Sequence, residues 1–183
     1  NISVEDMNQV SLETKYVVGV TNKDSGSGDP SPLTALGTYH GIRAAAKYMM
    51  GRNSVEGMKV AIQGCGSVGR NLCELLHEGG AHLIVSDINE DNVRQMVERF
   101  QAEAVSIDKI HAQDVDIFSP CALGGVLNPQ TIPDIRARVI AGAANNQLLD
   151  EKTDGLHLKN RGILYAPDYV INAGGLINVA FEL

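Results

Sequence analysis

The sequence lacks tryptophan, has only three cysteines and is poor in aromatic residues, which make up 4% of its 183 residues. Cys65, Cys73 and Cys121 form no Cys-x-x-Cys pair, and their odd number excludes a framework in which every cysteine is paired within the chain. Their apolar or glycine-rich surroundings predict small buried thiols in a reduced, cytoplasmic compartment, with a reactive thiol as the alternative.

Long apolar runs and positive charge are also scarce. No stretch approaches the roughly 18 consecutive apolar residues of a membrane helix, so no membrane partner is expected. The net charge is −7 without a lysine–arginine cluster, which disfavours nucleic acid as a partner. No set of histidine, cysteine, aspartate and glutamate has metal-ligand spacing, so no metal is expected. The 44% of apolar and 20% of charged residues are typical of one globular domain.

Helical and strand patterns alternate along most of the chain. A first helix is predicted from Ser31 as its cap and Pro32 as its first residue to about Met50. Its expected apolar stripe consists of Leu33, Leu36, Ile42, Ala45 and Ala46. Strands are predicted at residues 59–63, 82–87, 102–105, 116–119, 138–141 and 163–166, and further helices at 68–78 and 89–100. This alternation indicates an α/β fold of the Rossmann type, with a doubly wound, mostly parallel sheet and helices on both faces.

Residues 64–69 have the sequence GCGSVG, which matches the G-x-G-x-x-G pattern of dinucleotide-binding turns. The segment follows a predicted strand and opens a predicted helix, as the pattern requires. Gly64 would form the tight bend, Gly66 would let a diphosphate approach the backbone, and Gly69 would let the helix pack closely. The helix start at Ser67 and Val68 would offer N–H groups to the phosphates. The alternative is a turn that holds no ligand.

Asp87 ends the second predicted strand, 18 positions beyond Gly69. A carboxylate at this place can accept hydrogen bonds from an adenosine ribose and would repel the additional phosphate of NADP. No lysine or arginine occurs in residues 88–91, so NAD is the expected cofactor. The alternative is a helix cap or a solvated strand end.

Four further motifs occur at residues 30–35 (PSPLTA), 120–125 (PCALGG), 141–148 (AGAANNQL) and 165–175 (YAPDYVINAGG). In this order they resemble the glutamate/leucine/phenylalanine/valine dehydrogenase family, and most closely its leucine-specific branch. The resemblance extends through essentially the whole chain, and several long motifs are more specific than one glycine-rich turn. It implies NAD-dependent oxidative deamination of an L-amino acid to a 2-oxo acid and ammonia.

The resemblance also implies roles for individual side chains. Thr34 would reach the nicotinamide carboxamide, Ala122 and Leu123 would pack beside the cofactor, and Asn145 and Asn172 would bind the nicotinamide ribose or carboxamide.

Plainer interpretations compete with three of these roles. Thr34 could be bonded to its own helix backbone, and Asn145 and Asn146 could form a turn. Asn172 could cap the last helix.

The substrate side of the site is suggested by Val179, which matches a hydroxyl-bearing position that helps to bind the side-chain carboxylate in glutamate-specific relatives. Leu176 lies one turn earlier on the same helix face. Because both are apolar, they disfavour a buried carboxylate and favour a branched-chain or other apolar amino acid. The choice among leucine, valine and phenylalanine stays open. The alternative is that both residues belong to the core.

The catalytic residues are expected upstream of Asn1, outside this chain. In the family, two lysines and an aspartate perform the acid–base chemistry upstream of the matched region, and no lysine here lies in a matching motif. We therefore interpret residues 1–183 as a single NAD-binding domain, a fragment without the upstream catalytic domain and the final helix, from a protein expected to be a homo-oligomer. Alternatives are a non-catalytic NAD-sensing module or, with less support, a methyltransferase that binds S-adenosylmethionine.

Overall fold

The computed structural model describes residues 3–21 and 26–181. The helices are α1 (Val4–Val10), α2 (Ser31–Met50), α3 (Ser67–Glu78), α4 (Glu90–Phe100), α5 (Glu151–Asn160), α6 (Asp168–Ile171) and α7 (Ala173–Ala180). The strands are β1 (Lys59–Gln63), β2 (His82–Ser86), β3 (Glu103–Ala104), β4 (Ile117–Pro120), β5 (Val139–Ile140) and β6 (Leu164–Tyr165). None of the described helices combines the length and apolar character required to cross a bilayer.

One sequence-based prediction concerns the beginning of the chain. The catalytic residues are expected upstream of Asn1, and Asn1 itself lies outside the described residues. The structure therefore does not test the position of the catalytic residues, and that assignment stays a prediction.

The six described strands form one parallel sheet in the order β3-β2-β1-β4-β5-β6. Ile62 of the central strand β1 lies opposite Val85 of β2 on one side and Ser119 of β4 on the other. This order confirms the predicted Rossmann-type fold. The winding direction reverses between β1 and β4, which leaves a crevice at the carboxyl ends of these two strands, where such folds bind their ligands.

Two apolar clusters pack on opposite faces of the sheet because successive side chains of a strand point to opposite sides. Val60 and Ile62 belong to the cluster that includes residues of α2, α3 and α4. Ala61 and Phe118 belong to the other cluster, with Leu158 of α5. Phe118 is fully buried, and the two clusters together hold the central strands in place.

The start of α2 differs from the sequence-based prediction. Ser31 is already helical and Pro30 occupies the cap position, while the Asp29 carboxylate accepts the Ser31 N–H group at 2.9 Å. The prediction of Ser31 as the cap was therefore wrong by one position, since the aspartate side chain supplies the hydrogen bond. At the other end the last helical residue is Met50, as predicted, and Gly51 follows it with φ +70° as the C-cap.

The apolar stripe of α2 is only partly buried. Ile42, Ala45 and Ala46 lie in the core, but Leu33 and Leu36 are 39% and 38% exposed, so only three members of the predicted apolar stripe are buried. The reason is that this part of α2 approaches α7 through glycines. A Cβ on Gly37 would lie 3.4 Å from Gly174, and a Cβ on Gly174 would overlap the Leu33 carbonyl oxygen, which shows that the two backbones are in close contact without the leucine side chains between them.

Candidate dinucleotide-binding site

The glycine-rich turn connects β1 to α3 at the crevice. Gly64 has φ +98°, and a Cβ there would lie 2.9 Å from Ala122 in the loop after β4. A Cβ on Gly69 would overlap the carbonyl oxygen of Gly64. The bend at Gly64 and the close packing at Gly69, both predicted from the sequence, are confirmed.

Gly66 occupies the cap position of α3 and faces open space. Apart from Gly66 and its two chain neighbours, no atom of residues 3–21 or 26–181 lies within 4 Å of an ideal Cβ at Gly66, and no described side chain caps the helix. The following Ser67 is exposed and Val68 is half-buried. An uncapped helix start offers free N–H groups and partial positive charge, so the space in front of Gly66 fits a diphosphate.

The Asp87 carboxylate joins the turn to the end of β2. Its Oδ2 atom accepts the Cys65 N–H group at 2.6 Å, and its Oδ1 atom accepts the Asn89 N–H group at 2.8 Å. The cap of α4 is Asn89, whose side chain accepts from Asp91, so the alternative of Asp87 as a helix cap is wrong. Each carboxylate oxygen has two lone pairs, so acceptor capacity remains for ribose hydroxyls.

The surface next to Asp87 is acidic. A cavity of about 560 Å³ extends from Asp87 and Glu90 along α4 to the residues after β3. Arg94 also lines this cavity, but its guanidinium pairs with the Asp91 carboxylate. The arrangement therefore offers carboxylates rather than an unpaired cation next to the acidic strand end.

The loop after β4 connects the turn to the loop after β5. Ala122 lies against Gly64, while Leu123 is 88% exposed beside it. A Cβ on Gly124 would lie 2.6 Å from the carbonyl oxygens of Asn145 and Asn146. This close packing brings the segment with Asn145 to the same edge of the sheet as the glycine-rich turn.

Asn145 and Asn172, which lie 27 positions apart, are brought into direct contact. The Asn172 Nδ2 group donates to Asn145 Oδ1 at 2.6 Å and to the Ala143 carbonyl at 3.2 Å. Asn172 occupies the N-cap position of α7, as the helix-cap alternative expected, but within the described chain its side chain makes no capping hydrogen bond and is instead used on Asn145 and Ala143. Asn146, by contrast, has φ +52° and fits the turn-forming alternative.

Thr34 lies beside the segment that follows Asn172. A Cβ on Gly175 would overlap the Thr34 hydroxyl, which places this hydroxyl against the start of α7. The hydroxyl donates to the Pro30 carbonyl at 3.0 Å, as the plainer interpretation expected. Its oxygen can still accept a hydrogen bond.

The two apolar residues expected at the substrate pocket differ in burial. Leu176 is 71% exposed, so the alternative that it belongs to the core is wrong. Val179 is only 8% exposed and fits the core alternative.

Sequence reasoning missed two polar residues next to this site, Gln147 and Asp168. Gln147 is fully buried, and its side chain donates to the Gly142 and Ala144 carbonyls. Asp168 accepts the Gln147 N–H group at 3.2 Å. For Gln147, the sequence offered one indication of burial, namely its position beside the apolar Leu148 at the end of the segment 141–148.

The cysteines lie near the turn and are free thiols. Cys65 and Cys73 are buried, and contact with the Cys65 thiol, followed by burial, raises the pKa of Cys73 well above its usual value. A protonated, buried thiol is a poor nucleophile. In the part of the chain that the structure describes, no three histidine, cysteine, aspartate or glutamate side chains are grouped to hold a metal ion.

Comparison with known proteins gives consistent matches along the chain. The model of the Glutamate/Leucine/Phenylalanine/Valine dehydrogenase family matches residues 26–90 and 85–183. Leucine dehydrogenase of Bacillus subtilis (strain 168) is 55% identical over 181 residues, which are 99% of this chain and 50% of that protein. L-tryptophan dehydrogenase of Nostoc punctiforme is 51% identical over 183 residues, covering 100% of this chain and 51% of that protein.

Solved structures show the same correspondence. The crystal structure of the L-tryptophan dehydrogenase from Nostoc punctiforme has a TM-score of 0.85 at 49% identity, covering 97% of this chain and 50% of that one. The chain thus spans about half the length of the curated relatives it matches. From the family match and these identities, the chain belongs to the glutamate/leucine/phenylalanine/valine dehydrogenase family.

Proposed function

We propose that this chain is the NAD-binding domain of an amino-acid dehydrogenase that reversibly deaminates a branched-chain or other apolar L-amino acid to its 2-oxo acid and ammonia. The observation that carries the proposal is the 2.6 Å hydrogen bond from the Cys65 N–H group to Asp87. It joins the glycine-rich turn to the acidic strand end. The groups expected to hold the diphosphate and the adenosine ribose therefore form one continuous surface.

The residues of this chain would hold and orient the cofactor. Bound NAD would supply the acceptor for the hydride that leaves the α-carbon of the amino acid. The N–H groups of Ser67 and Val68 would bind the diphosphate at the positive end of the α3 dipole, in the space that Gly66 leaves open. The Asp87 carboxylate would accept hydrogen bonds from the adenosine ribose.

The nicotinamide end would lie at the contact between Asn145 and Asn172, with Thr34 nearby and with Ala122 and Leu123 beside the cofactor. The bond between the two amides leaves the Asn145 amide nitrogen as a donor and the Asn172 amide oxygen as an acceptor. A carboxamide has both an acceptor and a donor. The pair is therefore complementary to that group.

The preference for NAD over NADP rests on charge. The 2′-phosphate of NADP would approach Asp87 and Glu90, and Arg94, the arginine that lines the same cavity, is already paired with Asp91. Two carboxylates beside an added phosphate repel it.

The apolar substrate is supported by the exposed Leu176 side chain, which offers a surface without a partner for a carboxylate. The proteins named above as leucine and L-tryptophan dehydrogenases also act, by their names, on amino acids with apolar side chains. We expect the acid–base groups to be supplied by residues upstream of Asn1. Mixed alone with NAD and leucine, the chain should then form no NADH, and robust turnover would contradict this expectation.

Calorimetric titration of the chain with NAD and with NADP tests the proposal. We expect heat of binding with NAD and weaker binding with NADP. Asp87→Asn removes the negative charge, so the ratio of NAD to NADP affinity should be smaller in this variant than in the unaltered chain. Asp114→Asn is the matched control, because it removes an exposed carboxylate before β4, at the opposite end of the sheet. Binding of neither cofactor would refute the proposal, and binding of S-adenosylmethionine instead would favour the methyltransferase alternative.

A further inference from the structure

We infer that Gln147 is a positioning residue, assisted by Asp168, that sets the Asn145–Asn172 pair for the nicotinamide end of the cofactor. This inference rests on the proposed function, because it assigns a role within the same site. Neither residue is placed against the cofactor itself.

Gln147 closes the loop that carries Asn145. Its Nε2 group donates to the Gly142 carbonyl at 2.8 Å and to the Ala144 carbonyl at 2.9 Å. Both amide hydrogens are thereby used on the segment directly before Asn145, which fixes the path of the backbone that presents this side chain. The side chain is fully buried, so the bonds are shielded from competing water.

Asp168 ties this loop to the segment that carries Asn172. Its Oδ2 atom accepts the Gln147 N–H group at 3.2 Å, and its Oδ1 atom accepts the Tyr169 N–H group at 2.8 Å. The two segments are also joined by the bond between the asparagines. The hydrogen bonds of Asn172 to Asn145 and to the Ala143 carbonyl are therefore accompanied by a further connection between the same segments, which originates at Gln147.

The Gln147 amide is buried although its hydrogen-bonding capacity is only partly used. Its Oε1 atom is buried and has no hydrogen-bond partner in the described ranges. A buried polar atom without a partner is destabilising, so an apolar residue of similar size would serve a purely structural core position better. The two donated bonds are what glutamine supplies and such a residue cannot.

The test compares ligands that do and do not reach the nicotinamide end. NAD and ADP are titrated calorimetrically into the chain and into Gln147→Met, which keeps the length of the side chain but donates no hydrogen bond. Loss of two hydrogen bonds that order the loop should weaken NAD binding about 10-fold, while ADP binding changes less than about twofold. Asp168→Asn, which retains one carboxamide oxygen, should weaken NAD binding by a smaller factor and should likewise affect NAD more than ADP.

Gln113→Met is the matched control. The Gln113 amide donates to the Lys109 carbonyl at 2.9 Å in the segment before β4, at the opposite end of the sheet, so the same substitution removes a hydrogen bond from a side-chain amide to the backbone away from the site. It should leave the ratio of NAD to ADP affinity unchanged.

An equal loss of affinity for NAD and for ADP in Gln147→Met, or no loss of affinity for either ligand, would overturn the inference while leaving the proposed function intact. Absence of NAD binding by the unaltered chain would instead refute the proposed function. Hydrogen exchange without ligand supplies a separate readout. Faster exchange of the Ala144 amide in Gln147→Met is expected, and unchanged exchange would also overturn the inference.

Discussion

Adding one methyl group to Gly66 and, separately, to Gly69 should separate cofactor binding from folding at the glycine-rich turn. In Gly69→Ala the new Cβ would overlap the Gly64 carbonyl, which belongs to the backbone and cannot rotate away. In Gly66→Ala the new Cβ enters open space, and the backbone φ of −69° suits alanine. The two variants therefore have the same chemistry and opposite structural surroundings.

The expected magnitudes follow from these surroundings. Overpacking of this kind costs about 3 kcal/mol, which in a domain of this size lowers Tm by about 6–12 °C for Gly69→Ala. In Gly66→Ala, a loss of about 0.5 kcal/mol at the helix cap is offset by a similar reduction in the entropy of the unfolded chain. Its Tm should therefore change by less than about 2 °C.

In Gly66→Ala the affinity for NAD should fall although Tm is almost unchanged. The methyl group would occupy the space in front of the helix start and prevent N–H groups from reaching a charged phosphate. Loss of one such hydrogen bond weakens NAD binding about 10- to 100-fold.

Thermal unfolding followed by circular dichroism and calorimetric titration with NAD measure the two effects separately. A Gly66→Ala variant that retains both Tm and NAD affinity would refute the assignment of the diphosphate to this turn. A Gly69→Ala variant as stable as the unaltered chain would refute the close packing of α3 on Gly64.

The remaining predictions concern stability. Phe118→Ala should lower the free energy of unfolding by about 3–5 kcal/mol in urea titrations, because Phe118 is fully buried; a loss below about 1 kcal/mol would contradict its role in the core. Gly51→Ala should lower the free energy of unfolding by about 1 kcal/mol, because φ is +70° at this position. Gly155→Ala within α5 should raise the free energy of unfolding by about 0.5–1 kcal/mol, because the new Cβ would make an ordinary 3.8 Å contact. Equal melting temperatures of the two variants would contradict both predictions. Burial, followed by the negative charge of Asp168, raises the pKa of Tyr165 to about 12 from 10.0. The folded state thus favours the neutral phenol, so stability should fall as the pH rises from about 10 to about 12, and Tyr165→Phe should show a shallower fall over that range.

The fold and the geometry of the glycine-rich turn follow from local patterns in the sequence. The bend at Gly64 and the close packing at Gly69 could be predicted because a strand, a bend and a helix start lie within a few residues of one another. The position of Asp87 beside the glycine-rich turn could be predicted because Asp87 ends the neighbouring strand, and the carboxyl ends of parallel strands share one edge of the sheet. Its second bond, to the Cys65 N–H group, could not be foreseen, because it depends on how closely the turn approaches β2.

The sequence by itself determined the α/β class, the strand segments and the glycine-rich turn, because apolar periodicity and glycine spacing act over a few residues. Only the tertiary structure decided which distant side chains meet. It joined Asn145 to Asn172, buried Gln147 under the same loop, and left Leu33 and Leu36 partly exposed where α2 approaches α7 through glycines. These outcomes depend on the packing of segments far apart in the chain, and such distances are set only when the sheet and its helices assemble.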